Sequence, residues 1–133
     1  MNLRIGRVTN IDTSTGKVRV NYEDADNATL WLYMLTFNNE VSMPNVGDMV
    51  VTLHMENGSS KGFVLGTFYG GSKKPKARSG YRKDYPGGAY TTSDHDEVTV
   101  SAQTVNLAAS DIRLGAHTVD EIISRIEALE SRM

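Results

Sequence analysis

The chain has 133 residues, a formal net charge of −2, 39% hydrophobic residues and no cysteine. This length allows one compact domain with appendages, and the lack of cysteine excludes disulfide scaffolds, thiol nucleophiles and cysteine zinc sites. No apolar run approaches the ~20 residues that span a bilayer. The N-terminal residues lack the apolar core of a signal peptide, so we expect a protein made in the cytoplasm that does not leave by general secretion.

Residues 1–70 contain five closely spaced strand patterns separated by turn residues. A slip in the alternation of the first pattern indicates a β-bulge. Five strands without a helix predict a small antiparallel barrel of the OB type. The patterns cover residues 3–11, 18–22, 30–37, 49–55 and 62–69, with Asn57-Gly58 as a hairpin signal before the last one.

Three aromatic residues, Trp31, Tyr33 and Phe37, alternate within the third pattern. OB barrels often stack nucleic-acid bases on such residues. However, residues 1–70 carry five Lys or Arg against seven Asp or Glu, and this balance opposes phosphate binding. We therefore expect the aromatic residues to fill the core or to contact other protein chains.

Residues 71–95 are rich in Gly, Ser, Pro, Tyr and Lys and have no sustained period, which predicts a linker. Six basic residues and no acidic one lie between Lys73 and Lys83. A solvated linker is the favoured interpretation of this run, and a nucleic-acid arm or a contact with an acidic partner are the alternatives.

Residues 97–117 are three copies of a seven-residue unit, and the two apolar residues of each unit are two positions apart. This is strand spacing, not coiled-coil spacing. Three such strands cannot bury their apolar side chains alone and need stacked neighbours. We therefore predict a trimeric β-helical or β-prism stem over 96–117, whose core residues are Val98, Val100, Val105, Leu107, Ile112 and Leu114.

From residue 118 to 133 the spacing changes to three and four, which predicts a helix. Thr118 with Glu121 forms a capping box at its start, and Glu121 with Arg125 forms a supporting i, i+4 pair. The helix is short and Ile occupies both core positions, so we expect a bundle of three or more. Its core residues are Val119, Ile122, Ile126 and Leu129. The alternative is a monomer whose helix packs on its own barrel.

Four segments in order, Ile5 to Asp12, Gly16 to Val20, Pro44 to Val50 and Gly62 to Tyr69, resemble the OB-fold of phage baseplate assembly protein V. The central spikes of contractile tails and the type VI secretion spike protein share this domain. The resemblance implies a homotrimeric structural spike in a tail baseplate or phage-like particle. Its barrel would dock on the ring-shaped hub, and its stem would point at the target cell envelope and transmit force.

The chain departs from longer members of that family, which end in a pointed tip with a histidine-x-histidine iron site. Here the histidines, His54, His95 and His117, are isolated. We therefore expect a truncated spike or hub plug whose helical end receives a separate tip protein. The competing hypothesis is a monomeric OB-type nucleic-acid-binding module that uses residues 73–83.

The remaining polar clusters favour structural interpretations. Residues 23–27 lack the glycine and distal glutamate of a calcium loop. Residues 94–97 alternate in direction along an extended chain, so few of them could converge on a metal. His117 is a candidate pH-sensitive position near the threefold axis, although a surface corner is favoured. We expect no catalytic, cofactor or metal site, and no nucleic-acid partner.

Overall fold

A computed structural model of the chain describes residues 1–23, 31–55 and 61–133. These residues form two compact units, Met1–Pro75 and Lys76–Met133. The first unit is a β-barrel, and the second contains two small sheets and one helix. The hairpin predicted at Asn57-Gly58 lies outside the described residues, as does most of the 23–27 loop.

The N-terminal unit is a closed barrel of five strands in the order β1-β2-β3-β5-β4. All neighbouring strands are antiparallel except β3 and β5, which are parallel and close the barrel. This confirms the predicted five-stranded barrel. The strands are β1 (Asn2–Asp12), β2 (Lys17–Asn21), β3 (Leu32–Met34), β4 (Met49–His54) and β5 (Gly62–Thr67).

The predicted bulge in β1 is confirmed, because the register of β1 against β2 shifts between Val8 and Asn10. The register of β4 against β5 also shifts, between Val51 and Thr52 of β4. Bulges increase the local twist of a strand and bend it, which helps five short strands to close on themselves.

Each of the five strands contributes inward-facing residues to the barrel core, and Tyr22, directly after β2, adds another. They are Val8, Val18, Val20, Tyr22, Leu32, Val50 and Val64. Val18, Val20, Val50 and Val64 have no exposed surface, so the alternation seen in the sequence corresponds to real burial.

A buried polar group lies beside this core. The hydroxyl of Tyr22 is 2.6 Å from Oγ1 of Thr52 and 2.5 Å from Nε2 of His54. The guanidinium of Arg4 lies 3.8 Å from the centre of the Tyr22 ring. These contacts satisfy polar groups that would otherwise be costly to bury.

Strand β3 is shorter than the predicted segment 30–37, because the chain leaves the extended conformation after Met34. Phe37, Asn38 and Asn39 have positive φ angles of 49°, 62° and 77°. The aromatic residues Trp31, Tyr33 and Phe37 lie on the barrel surface. They therefore do not fill the core, which corrects one part of the expectation, and contact with other chains, the other part of that expectation, stays a prediction. Leu32, between two of them, faces inward.

The second unit begins with an antiparallel sheet in the order β6-β7-β8, formed by β6 (Tyr81–Asp84), β7 (Tyr90–Asp94) and β8 (Glu97–Ser101). Two of these strands lie inside the segment 71–95 that we expected to be a linker, which corrects that expectation. Their residues are Tyr, Thr, Ser and charged types, which suit strands but lack the aliphatic alternation used for prediction. Pro86-Gly87-Gly88 belongs to the turn between them.

The rest of the unit has little paired structure within one chain. Strand β8 coincides with the first seven-residue unit, and a two-stranded hairpin of β9 (Arg113–Leu114) and β10 (His117–Thr118) belongs to the third. The middle unit, residues 104–110, contains no strand. Helix α1 (Val119–Glu130) follows β10 directly and starts where the capping box predicts.

Candidate assembly surfaces

The apolar residues predicted to form the trimer core are mostly exposed in the single chain. Val98 is 72% exposed, Leu107 is 66% exposed and Leu129 is 60% exposed. Val100, Val105, Leu114 and Ile126 are also exposed, whereas Ile112, Val119 and Ile122 are half-buried. Regularly spaced apolar side chains on a surface require a partner or cost solubility.

The backbone of residues 102–111 also forms no hydrogen bond with the parts of the chain that the structure describes. Among the described residues, none of the backbone hydrogen bonds found outside regular elements involves this segment. The first bond after it is from the Val119 amide to the carbonyl of Ile112, at 2.8 Å. Backbone donors and acceptors that become buried need partners, so this stretch can be covered only by a chain that supplies hydrogen bonds.

The β6-β7-β8 sheet has two different faces. The register of the three strands places four side chains on one face, those of Tyr81, Lys83, Val98 and Val100. The other face carries Arg82 and Tyr90, whose groups contact each other. The face with the valines is not covered by the sheet itself, and three strands without a packed face are marginally stable.

The polar face is held together by Arg82. Its Nη2 donates to Oδ1 of Asp84 at 3.1 Å, and its guanidinium lies 4.0 Å from the centre of the Tyr90 ring. Lys76 Nζ lies 3.8 Å from the same carboxylate. The hydrogen bond from Arg82 is the largest cause of a lowered pKa at Asp84. Two cations of the basic run 73–83 are therefore engaged within the chain.

Helix α1 is well capped and exposed. Oγ1 of Thr118 accepts from the Glu121 amide at 3.1 Å, and Oε2 of Glu121 accepts from the Thr118 amide at 3.3 Å. Nδ1 of His117 is 3.4 Å from the same Glu121 oxygen. Glu121 is therefore engaged with the cap and His117. None of the residues of α1 is buried, so its apolar stripe is available to other chains.

The barrel carries a second apolar surface, of which only Tyr33 was among the residues expected to fill the core or contact other chains. Directly opposed residues on five strands form a continuous row on the outside of the barrel. We call this row the outer belt; it runs through Leu3, Leu53, Phe63, Tyr33 and Lys17. Opposed side chains on neighbouring strands are close enough to form one surface.

Each end of the outer belt is extended by a flanking pair. At the aliphatic end, Ile5 lies opposite Val51 on the same two strands as Leu3 and Leu53. At the cationic end, the Arg19 guanidinium lies 5.3 Å from the Trp31 ring, and Lys17 Nζ lies 5.0 Å from the Tyr33 ring. The signal for this surface was present in the apolar run 49–51, which leaves apolar residues on both faces of a strand.

The described ranges contain no cluster of metal ligands and no helix that could span a membrane. Residues 1–23, 31–55 and 61–133 contain no group of three His, Asp or Glu side chains that could hold a metal ion. Asp94 and His95 contact each other, with Oδ1 and Nδ1 2.9 Å apart. No helix in the same ranges has the length and apolar character needed to cross a bilayer.

The order β1-β2-β3-β5-β4, with a single parallel contact between β3 and β5, defines a closed five-stranded OB-type barrel. Residues 4–69, which include all five strands except the first two residues of β1, match the family model of the type VI secretion system and phage-baseplate injector OB domain. The chain belongs to this family through its barrel. A comparison with curated proteins found no match.

Proposed function

We propose that this chain is the homotrimeric spike or hub-plug protein of a contractile phage tail or a related injection device. Its role is structural and not catalytic: the barrel docks on a baseplate hub, and the stem transmits axial force toward the target envelope. The injector family of the barrel supports a structural role of this kind. The trimer, the hub contact and the force transmission are parts of the proposal.

We infer the trimer mainly from the segment 102–111. It is exposed along its length, it bears Val105 and Leu107, and its backbone forms no hydrogen bond with the described parts of its own chain. Three such segments around one axis supply each other with backbone partners and bury the apolar side chains. Helix α1 also exposes an apolar stripe, so the chain beyond residue 118 requires apolar partners as well.

Because the seven-residue unit repeats, the three chains can stack their units along one common axis. In a trimeric stem, each unit contributes one apolar layer, formed by Val98 and Val100 in the first unit and by Val105 and Leu107 in the second. Stacked layers bury a continuous core that no single chain contains. The helices then form a short bundle at the blunt end of the stem, where a separate tip protein would bind.

The stem is tested by Leu107→Asp in the full chain. Three carboxylates would meet in the apolar core and cost several kcal/mol each, so the variant should dissociate to single chains. Asn106→Asp is the matched control, since it adds the same charge at the neighbouring polar position. Analytical ultracentrifugation should give three chain masses for the wild type and the control. A Leu107→Asp chain that remains trimeric would refute the stem.

The helical end is tested separately by deleting residues 118–133. Particles assembled with the shortened chain should lack a tip or lose infectivity. Fully tipped and infective particles would contradict the role proposed for the helix.

A salt titration separates the spike from the OB-type nucleic-acid module. A trimer without salt-sensitive affinity for a single-stranded oligonucleotide supports the spike. A single chain mass with such affinity, removed when the lysines of residues 73–83 are neutralised, supports the alternative.

A further inference from the structure

The outer belt exposes large apolar side chains that do not belong to the barrel core. Leu3 is 67% exposed and Ile5 is 56% exposed, although each is opposed by another aliphatic residue, Leu53 or Val51. Phe63 and Tyr33 continue this surface across β5 and β3. The core on the inner side is already complete without these residues. Contiguous apolar surface of this kind marks an interaction site.

The charges on the same strands are predominantly basic, despite the acidic balance of the whole barrel region. The five described barrel strands contain four Arg or Lys residues and one carboxylate, Asp12. Asp12 accepts hydrogen bonds from the amide and hydroxyl of Ser14, at 3.0 and 2.6 Å. The carboxylate is thus engaged in a turn. Lys17 and Arg19 give the aromatic end of the belt its positive charge.

We propose that the barrel docks on the hub through the outer belt, a surface that crosses all five strands, and that the hub presents apolar side chains flanked by carboxylates. The aliphatic end would pack against the apolar part of this partner. Lys17 and Arg19 would face the carboxylates, since complementary charge sets the orientation of an interface. The inference rests on the proposed function and adds to it the docking face and the chemistry of the partner.

A nucleic acid fits this surface less well. The cations lie over the aromatic rings, with Lys17 on Tyr33 and Arg19 on Trp31. The ring faces on which bases would stack are therefore occupied in part. At the other end of the belt, Leu3 and Ile5 offer aliphatic contacts, and these suit a protein side chain better than a phosphate.

A second copy of this chain also fits less well. In a belt-to-belt contact, the strands of the second copy would offer the cationic end only Asp12, and Ser14 engages that carboxylate. A belt facing another belt would bring cations together, and like charges in an interface cost affinity. The partner is therefore expected to be a different protein.

Site-specific photo-cross-linking in assembled particles identifies the occupant. p-Benzoylphenylalanine replaces Phe63 in the full chain, and Val41, which is 96% exposed and lies outside the strands, is the control position. The Phe63 position should cross-link to another particle protein, in a segment containing apolar residues and Asp or Glu. A cross-link to a second copy, a cross-link to nucleic acid, or the same weak yield at both positions would overturn the inference.

Charge reversal tests the cationic end in the same particles. The double variant Lys17→Glu, Arg19→Glu should be incorporated at least about tenfold less than the wild type, because like charges would meet carboxylates. Lys73→Glu, Lys74→Glu is the matched control, with the same charge change outside the barrel strands. Both variants should remain folded and trimeric in solution.

The two hypotheses fail in different ways. Normal incorporation of the folded, trimeric Lys17→Glu, Arg19→Glu variant would overturn the belt and leave the spike intact. A wild-type chain that is monomeric in solution and absent from particles would overturn the proposed function itself.

Discussion

Thr118 and Glu121 cap helix α1 reciprocally, each side chain accepting a hydrogen bond from the other residue's backbone amide. Thr118 is also the last residue of β10, so the direction of the helix is defined at the end of that strand. In a single chain this helix has no buried residue to stabilise it. Local hydrogen bonds at its start are therefore a large part of what keeps it helical in the single chain.

Removing the cap should weaken the helix without changing its apolar stripe. Thr118→Ala is expected to lower the stability of the C-terminal unit by about 1 kcal/mol per chain, seen as a lower melting temperature by circular dichroism. Ser124→Ala, in the middle of the same helix, is the control and should leave the melting temperature unchanged or slightly raised. Equal losses in both variants would show that the cap has no special role.

The buried hydroxyl of Tyr22 is expected to stabilise the barrel. Tyr22→Phe keeps the ring in the core but removes the hydrogen bonds to Thr52 and His54. The cost should be about 1–3 kcal/mol, because the remaining polar groups stay buried. Tyr33→Phe, at an exposed ring, should cost almost nothing. Urea unfolding followed by the fluorescence of Trp31 measures both variants.

Gly6 allows β1 and β2 to approach closely. A Cβ at this position would lie 2.4 Å from Cγ1 of Val20 and 2.9 Å from the carbonyl oxygen of Asn21. Gly6→Ala should therefore destabilise the barrel by about 1–3 kcal/mol through overpacking. Thr67→Ala, at an exposed position of β5, is a suitable control. Comparable unfolding midpoints for Gly6→Ala and the wild type would contradict the close approach.

The pair Arg82 and Asp84 predicts a pH dependence in the second unit. The hydrogen bond from Arg82 lowers the pKa of Asp84 below its ordinary value of 3.8. A lowered folded-state pKa gives stability that is present above about pH 3.8 and is lost as the pH falls through the lower value. An NMR titration of the Asp84 carboxyl carbon should show this directly. In Arg82→Gln the pKa should rise toward 3.8, whereas Lys83→Gln should change it little.

The sequence predicted the barrel better than the sheet beside it, for a physical reason. Val18 and Val20 alternate with polar residues, so burial on one side of β2 is visible in the residue types. Strands β6 and β7 are stabilised by Thr, Tyr and paired charges such as Arg82 with Asp84. Nothing in that composition distinguishes a strand from a polar connector, so the hairpin was missed.

The assembly surfaces were predicted in part. The seven-residue unit predicted Val98 and Leu107 as part of a trimer core; both are exposed in the single chain, and the trimer stays a prediction. The outer belt escaped because its residues are far apart in sequence. Leu3, Leu53 and Phe63 become neighbours only through the strand register.

The row that starts at Leu3 passes from strand to strand and returns to β1 at Asp12, opposite Lys17. The barrel therefore has no free strand along which another chain could extend the sheet. A protein that binds the outer belt must recognise its side chains, and substitutions can retune such a contact without altering the backbone. The binding partner of such a barrel could thus change through a few surface mutations, while the barrel itself stays the same.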